Sequence, residues 1–292
     1  MIDIKPMNRS FGADVSGVTL STINDTEFEG VYRAWLEHGV LRFRNQAMDE
    51  DDLQRFSCRF GPLEEIPLGR MSEKQKKKLS RIFKNPYVTN LSNIIEDGMP
   101  LGGLGNAEAN WHSDMTYTQN PPPASVLLSV EIPDQGGDTW FADQYGAYEA
   151  LPHPLRIRAE GLSIKHDAAH TSIGELRPGY DPVIDPRDAP GAIHPMVTTH
   201  EETGRKCLYL GRREWAYIPG LTLEESEATL NEVWSYATLP ENVIRQQWQV
   251  GDVIIWDNRC VLHRRDEFDP SQRRLLRRCQ VLTPPQGKSN AG

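Results

Sequence analysis

Apolar positions recur at helical spacing in a few stretches of the chain and at strand-like density in most of the others. Phe28, Val31, Trp35 and Leu36 repeat along one helix face, with Asn24 or Asp25 available as a cap and Gly39 as the stop. A strand over 40–43 follows, and then a short helix carrying Leu53, Phe56 and Phe60, closed by Gly61-Pro62. Thr222 and Glu225 form a capping-box pair, so Leu223, Leu230, Val233, Trp234 and Ala237 predict the buried side of a helix over 222–238. Elsewhere the texture is strand and turn: ASVLLSVEI, GDTWFAD, KCLYLG, QWQVGDVIIWDN, CVLH and RRCQVL, separated by Pro, Gly, Asp and Asn. No helix alternates with these strands, which argues against a doubly wound sheet. The pattern predicts a mainly β protein, a sandwich or jelly roll, with helices mostly N-terminal and one near 222–238.

Two stretches break the pattern. Residues 64–90 are charged and weakly periodic, and residues 171–195, TSIGELRPGYDPVIDPRDAPGAIHP, are rich in Pro, Gly and Asp. Loops this long in a compact domain are commonly lids or binding loops, and both are expected to be so here.

Composition narrows the function classes. A net charge of -9 over 292 residues gives no electrostatic footprint for nucleic acid or an anionic membrane, and the one basic cluster, Lys74 to Lys78 with Arg81 and Lys84, reads as a solvated face. No run of eighteen apolar residues occurs, and MIDIKPMNRSFG has neither the apolar stretch nor the cleavage site of a signal peptide, so a cytoplasmic protein is expected. Cys58, Cys207, Cys260 and Cys279 stand singly, which fits reduced structural thiols.

The candidate chemistry lies in three segments. In Asn110-Trp111-His112-Ser113-Asp114, an extended backbone would point His112 and Asp114 to one face, because strand side chains alternate. The pair alone is a weak signal, equally compatible with a surface turn. His263, in WDNRCVLHRR, directly follows an apolar strand and its Asp-Asn turn. Two histidines and a carboxylate on one side of a metal leave three positions open, as non-heme Fe(II) oxygen chemistry requires, whereas a closed zinc site needs a fourth protein ligand. In QRRLLRRCQVL, Arg274, Leu276 and Arg278 share a strand face; either an edge strand faces water there, or two buried guanidiniums await anions. Thr139 adds a hydroxyl after the glycine turn Gly136-Gly137, so arginine and threonine together can grip one end of a dicarboxylate that chelates metal at the other.

WHSDMTY, GGDTWFAD, GDVIIWDNRCVLHRR and RRLLRR together resemble the taurine dioxygenase and 2,4-dichlorophenoxyacetate dioxygenase family of Fe(II)- and 2-oxoglutarate-dependent enzymes. The resemblance runs from FGADVSGVTL through RFGPLE to the last strand, so a single domain over 1–292 is expected. It implies a double-stranded β-helix core of cupin-like jelly-roll type. It places Fe(II) on His112, Asp114 and His263, and the far carboxylate of 2-oxoglutarate on Thr139 and Arg274. Arg278 matches an arginine that meets either the substrate anion or the near end of the cosubstrate. YLGRREWAYIPGL and LSNI look more like the aryloxyalkanoate-degrading branch, which adds Ser92 and Asn93 as substrate candidates. Taurine itself is not expected, because Ile66 and Gly69 stand where the taurine enzymes carry a histidine and a tyrosine. The implied reaction uses O2, with ascorbate as a supporting reductant, to hydroxylate a small anion; at a carbon bearing an ether oxygen the product collapses to a phenol and an oxoacid. A sulfonate or amino-acid-derivative hydroxylase, and a non-oxidative metal-dependent jelly-roll enzyme, are the alternatives. A homo-oligomer is expected from the resemblance.

Overall fold

The computed structural model describes residues 2–8, 11–66, 84–107 and 109–284. Two sheets form its centre. The larger has the strand order Asp3–Asn8, Phe11–Ser16, Val40–Phe43, Val253–Asp257, Ala124–Glu131, Leu275–Val281, Thr89–Ser92, Gly103–Leu104; the smaller runs Val243–Gln246, Thr139–Asp143, Val261–Arg265, Ala109–His112. Neighbours far apart in sequence, such as Ala124–Glu131 between Val253–Asp257 and Leu275–Val281, pair antiparallel, as a jelly roll demands.

Three apolar clusters explain the layering. Between the sheets, Leu127, Ile254, Trp256 and Leu276 of the larger meet Phe141, Ile244 and Val261 of the smaller. The alternate residues Val126, Leu128, Val253, Ile255, Cys279 and Val281 face outward and pack under Val31, Trp35, Leu53 and Phe56 of the helices Asp25–His38 and Glu50–Ser57. The other face of the smaller sheet, through Ala142 and Leu262, is covered by Ala147, Leu155, Leu230 and Val233. Both faces of each sheet are therefore buried, which is why Val253 to Trp256 reads as an unbroken apolar run rather than an alternation.

The expected helices form with their caps: Asn24 and Thr222 each accept from the N3 backbone amide, and Glu27 and Glu225 return the bond. Two elements add to the helices that the pattern predicts, mostly N-terminal with one near 222–238. Gln144–Ala150 and His153–Glu160 are helical, directly after the strand Thr139–Asp143. They are seven and eight residues long, too short to establish a 3.6-residue period, and their signals are the Asp143 cap and Pro154 in the first turn. The 171–195 stretch is irregular until Ile193–Pro195, a strand paired with Ser163–Lys165. Of the 64–90 stretch, residues 67–83, with Gly69 and most of the basic cluster, lie outside the described residues. Among the described residues no helix is long and apolar enough to cross a membrane.

Candidate active site

Adjacent strands of the smaller sheet bring His112 and His263 together. They sit directly opposite in the pairing of Ala109–His112 with Val261–Arg265, and their rings lie 4.2 Å apart. The segment is not extended through Asp114, as the sequence suggested. The strand ends at His112, and Asp114 lies in the following turn, where Met115 takes a positive φ of 50°. The turn still brings the carboxylate in: Asp114 Oδ1 lies 3.9 Å from His112 Nε2 and 3.8 Å from His263 Nε2.

The three side chains are presented as donors. The Nδ1 of His112 donates to the Asn110 carbonyl at 2.6 Å, which leaves the Nε2 lone pair directed at the cluster. Burial lowers the pKa of His112 against the pull of Asp114, and burial with the neighbouring His112 pushes His263 down to about 3. Both imidazoles are thus neutral. Burial tends to raise Asp114, but the electrostatic pull of its neighbours His263, Arg278 and His112, together with the Ser125 bond, outweighs it and holds the carboxyl below its ordinary range. The Ser125 hydroxyl donates to Asp114 Oδ2 at 2.8 Å and fixes the carboxylate. Ser125 in turn accepts from Asn258 Nδ2 at 3.3 Å, and Asn258 Oδ1 accepts from Trp256 Nε1 at 2.7 Å. Two neutral nitrogens and one anionic oxygen, all within 4.8 Å of one another, fit a divalent cation that keeps open positions.

A second buried cluster, His200, Asp257 and Cys260, has ligand atoms equally close but different bonding. His200 Nδ1 accepts the Glu202 and Thr203 amides, so Nε2 carries the proton and donates to Asp257 at 3.0 Å. Arg259 also pairs with Asp257, and burial raises the Cys260 thiol well above its usual range. Both nitrogens of His200 and the Asp257 carboxylate are thus engaged within the protein, and the thiol stays protonated, unlike the groups of the first triad.

A small cavity runs inward from the first triad to Thr139, Arg265 and Arg274. Arg274 is 2% exposed; its Nη2 donates to the Gly137 carbonyl at 3.2 Å, while its Nε is buried without a partner among the described residues. Burial pushes its pKa down to about 9, Arg265 adds to the effect, and only Asp138 opposes it. Such a guanidinium is costly until an anion joins it. Thr139 accepts from Trp248 Nε1 at 3.0 Å, so its own O–H is free to donate. Gly137 at φ +67° makes room here, since a Cβ would lie 3.1 Å from Arg274 Nε. Arg265, also in this cavity, was not among the sequence candidates; its position two residues after His263 on one strand is the signal that identifies it. Burial lowers its pKa to about 10.

Toward solvent the triad opens into a cavity of about 440 Å³, lined in part by Asn90, Tyr117, His166, Arg177, Arg278 and Gln280. Arg278 lies on both cavities. Ser92 and Asn93 reach neither: Ser92 accepts from the Ile94 amide, and Asn93 bonds the backbone of Pro270, Gln272 and Arg274. Their neighbours Thr89, Asn90 and Leu91 line the larger cavity in their place. The 171–195 stretch contributes Thr171, Ser172 and Arg177 to its wall.

Residues 3–280 match the family described as taurine catabolism dioxygenase TauD, TfdA family. The chain belongs to this family. It is 37% identical to the alpha-ketoglutarate-dependent 2,4-dichlorophenoxyacetate dioxygenase of Cupriavidus pinatubonensis, over 95% of this chain and 96% of that protein. It is 31% identical to the (S)-phenoxypropionate/alpha-ketoglutarate-dioxygenase of Sphingobium herbicidovorans, over 97% and 96%. The crystal structure of AAD-2 in complex with Mn(II) and N-oxalylglycine superposes with a TM-score of 0.77 at 26% identity, over 97% of this chain and 98% of that one. The TauD/TfdA membership makes this protein a 2-oxoglutarate-dependent dioxygenase with a jelly-roll core, and it implies Fe(II) as the cofactor with 2-oxoglutarate and O2 as cosubstrates.

Proposed function

We propose that this dioxygenase holds Fe(II) on His112, Asp114 and His263, binds the distal carboxylate of 2-oxoglutarate with Arg274 and Thr139, and hydroxylates a small organic anion of the aryloxyalkanoate type. The observation that carries the reading is the Arg274 guanidinium, buried without a carboxylate partner among the described residues, at the end of a cavity whose other end is the two-histidine, one-carboxylate cluster. A hydrolytic or isomerising jelly-roll enzyme has no use for that arrangement. The metal and 2-oxoglutarate, when bound, supply the oxidising power drawn from O2, and ascorbate sustains it.

The chain's own groups orient and exclude. Ser125 and Asn110 fix two of the ligands, Trp256 packs against the His263 ring at 4.8 Å, and Arg278, between the cavities, anchors the substrate anion. Hydroxylation beside an ether oxygen gives a hemiacetal that releases a phenol and an oxoacid. The 171–195 stretch acts as a lid: Arg212 donates to the carbonyls of His170 and Thr171 and pairs with Asp167 at 2.8 Å, tethering the start of that stretch at the cavity wall. The test is formation of succinate from 2-oxoglutarate, coupled to release of 2,4-dichlorophenol from 2,4-dichlorophenoxyacetate or of phenol from phenoxypropionate, in the presence of Fe(II) and O2. Turnover of sulfonates or sulfate esters with none of either aryloxyalkanoate would overturn the substrate class.

A further inference from the structure

Two neutral side chains on the wall of the larger cavity are buried, and neither has a hydrogen-bond partner among the described residues. Gln280 is 3% exposed, with both Oε1 and Nε2 unpartnered; His166 is 2% exposed, with both ring nitrogens unpartnered. Both line the same cavity, from different parts of the fold. Gln280 belongs to the strand Leu275–Val281 and continues the inward row of Arg274, Leu276 and Arg278. His166 follows the strand Ser163–Lys165 and packs against His194 and Tyr209, at ring separations of 5.3 and 6.0 Å. Gly211 is shaped around it: at φ +66°, a Cβ there would lie 2.1 Å from His166 Nδ1. Burial, reinforced by His194 and Arg212, lowers the His166 pKa to about 3, so the ring is neutral, with one donor and one acceptor.

Buried polar atoms are nearly always hydrogen-bonded, and leaving one unpaired is costly. Unpaired polar atoms on two residues that line the same cavity need an explanation in the ligand. A bare or halogenated aryl ring would leave all of them unpaired. We propose that His166 and Gln280 form a polar subsite that binds a neutral hydrogen-bonding group of the substrate, a hydroxyl, amide or carbonyl, at a distance from its anionic end. The substrate is then an anion with a second polar group, and simple halogenated aryloxyacetates are secondary ligands. The inference rests on the oxygenase reading for the identity of the cavity.

Matched ligands test it. Calorimetric titration of 2-, 3- and 4-hydroxyphenoxyacetate against the corresponding methylphenoxyacetates, which are close in volume, is carried out with and without Mn(II) and 2-oxoglutarate. At least one hydroxy isomer should bind roughly five- to fifteenfold more tightly than its methyl counterpart. Gln280→Leu or His166→Phe should erase that preference while leaving the methyl compounds bound as before. Because Gln280 makes no side-chain bond within the described protein, Gln280→Met should keep the parent Tm, whereas a purely structural glutamine would lower it. Equal or better binding of the methyl compounds at all three positions, a preference that survives both substitutions, or a large fall in Tm for Gln280→Met overturns the proposal. Absence of 2-oxoglutarate turnover with every anion would instead count against the oxygenase reading, since the binding preference is measured without turnover.

Discussion

At the scale of single residues, the site is a set of charges and lone pairs whose usual partners are withheld. Arg274 is the clearest case: a charge-assisted contact to a carboxylate contributes about 1.5–3 kcal/mol, so Arg274→Ala should weaken 2-oxoglutarate binding by about 10- to 150-fold. Metal affinity should change far less, and an unaltered apparent affinity for 2-oxoglutarate in that variant would remove the assignment. Ser125 does its work through Asp114. Its hydroxyl is the only side-chain partner found for Asp114 Oδ2 among the described residues, at 2.8 Å, so Ser125→Ala should lower metal affinity by roughly 10- to 100-fold, as loss of such orienting bonds does elsewhere. Equilibrium titration with Mn(II) reads this directly, and Ser125→Thr should restore much of the loss. The motifs shared with the family made Arg274 and the two histidines legible; taken alone, the same residues also fitted a surface turn and an edge strand facing water. Ser125 and Asn258 were not legible as partners: Ser125 lies on the strand Ala124–Glu131 and Asn258 in the turn after Val253–Asp257, and only their packing shows what they touch.

At the scale of elements, the periodic helices were readable and the short ones were not. The helix Asp25–His38 carries its apolar face, its capping box and its stop in the sequence itself. The helix Gln144–Ala150 carries little beyond its cap, Asp143, and that cap has an unusual cost. Burial raises the Asp143 pKa to about 6, against the bonds it accepts from Tyr145 and Gly146. The folded pKa thus lies above the ordinary carboxyl value of 3.8, so folding favours the protonated form. The contribution of Asp143 to stability is full below about pH 4 and is lost as the pH rises through about 6. Asp143→Asn keeps an acceptor at the cap without the ionisation, so its Tm relative to the parent should rise between pH 4 and pH 8; a constant difference across that range would refute the buried-carboxyl account. The 171–195 element makes a separate prediction. Arg212→Ala removes the tether and leaves the buried Asp167 carboxylate without a guanidinium, held by the His170 ring at 3.0 Å and the Ala169 and His170 amides, so cleavage by added protease within 171–192 should accelerate. Arg274→Ala should leave that cleavage rate unchanged.

At the scale of the whole molecule, the two sheets and the ligands they hold behave as one binding unit, so occupancy should register as global stability. At 100-fold excess over its dissociation constant a ligand adds about 2.7 kcal/mol, which for a domain of this size is a Tm increase of roughly 5 °C. Mn(II) with 2-oxoglutarate should produce such a shift in the parent and much less in Arg274→Ala at the same concentrations; equal shifts would mean that the arginine is not part of the site. What the sequence by itself determined was the list of elements with strong period or strong caps, the mainly β class, and the residue types able to hold a metal and a dicarboxylate. Those follow from local rules, since capping, alternation and ligand chemistry depend on a few neighbouring residues. The tertiary structure decided which face of each doubly buried strand looks inward, because runs such as Val253 to Trp256 are apolar on both sides and their pattern is silent. It also decided that Asp114 enters the cluster from a turn rather than a strand, and that Thr89, Asn90 and Leu91 rather than Ser92 and Asn93 line the cavity. Each of these depends on contacts between segments far apart in the chain, and no local pattern encodes them.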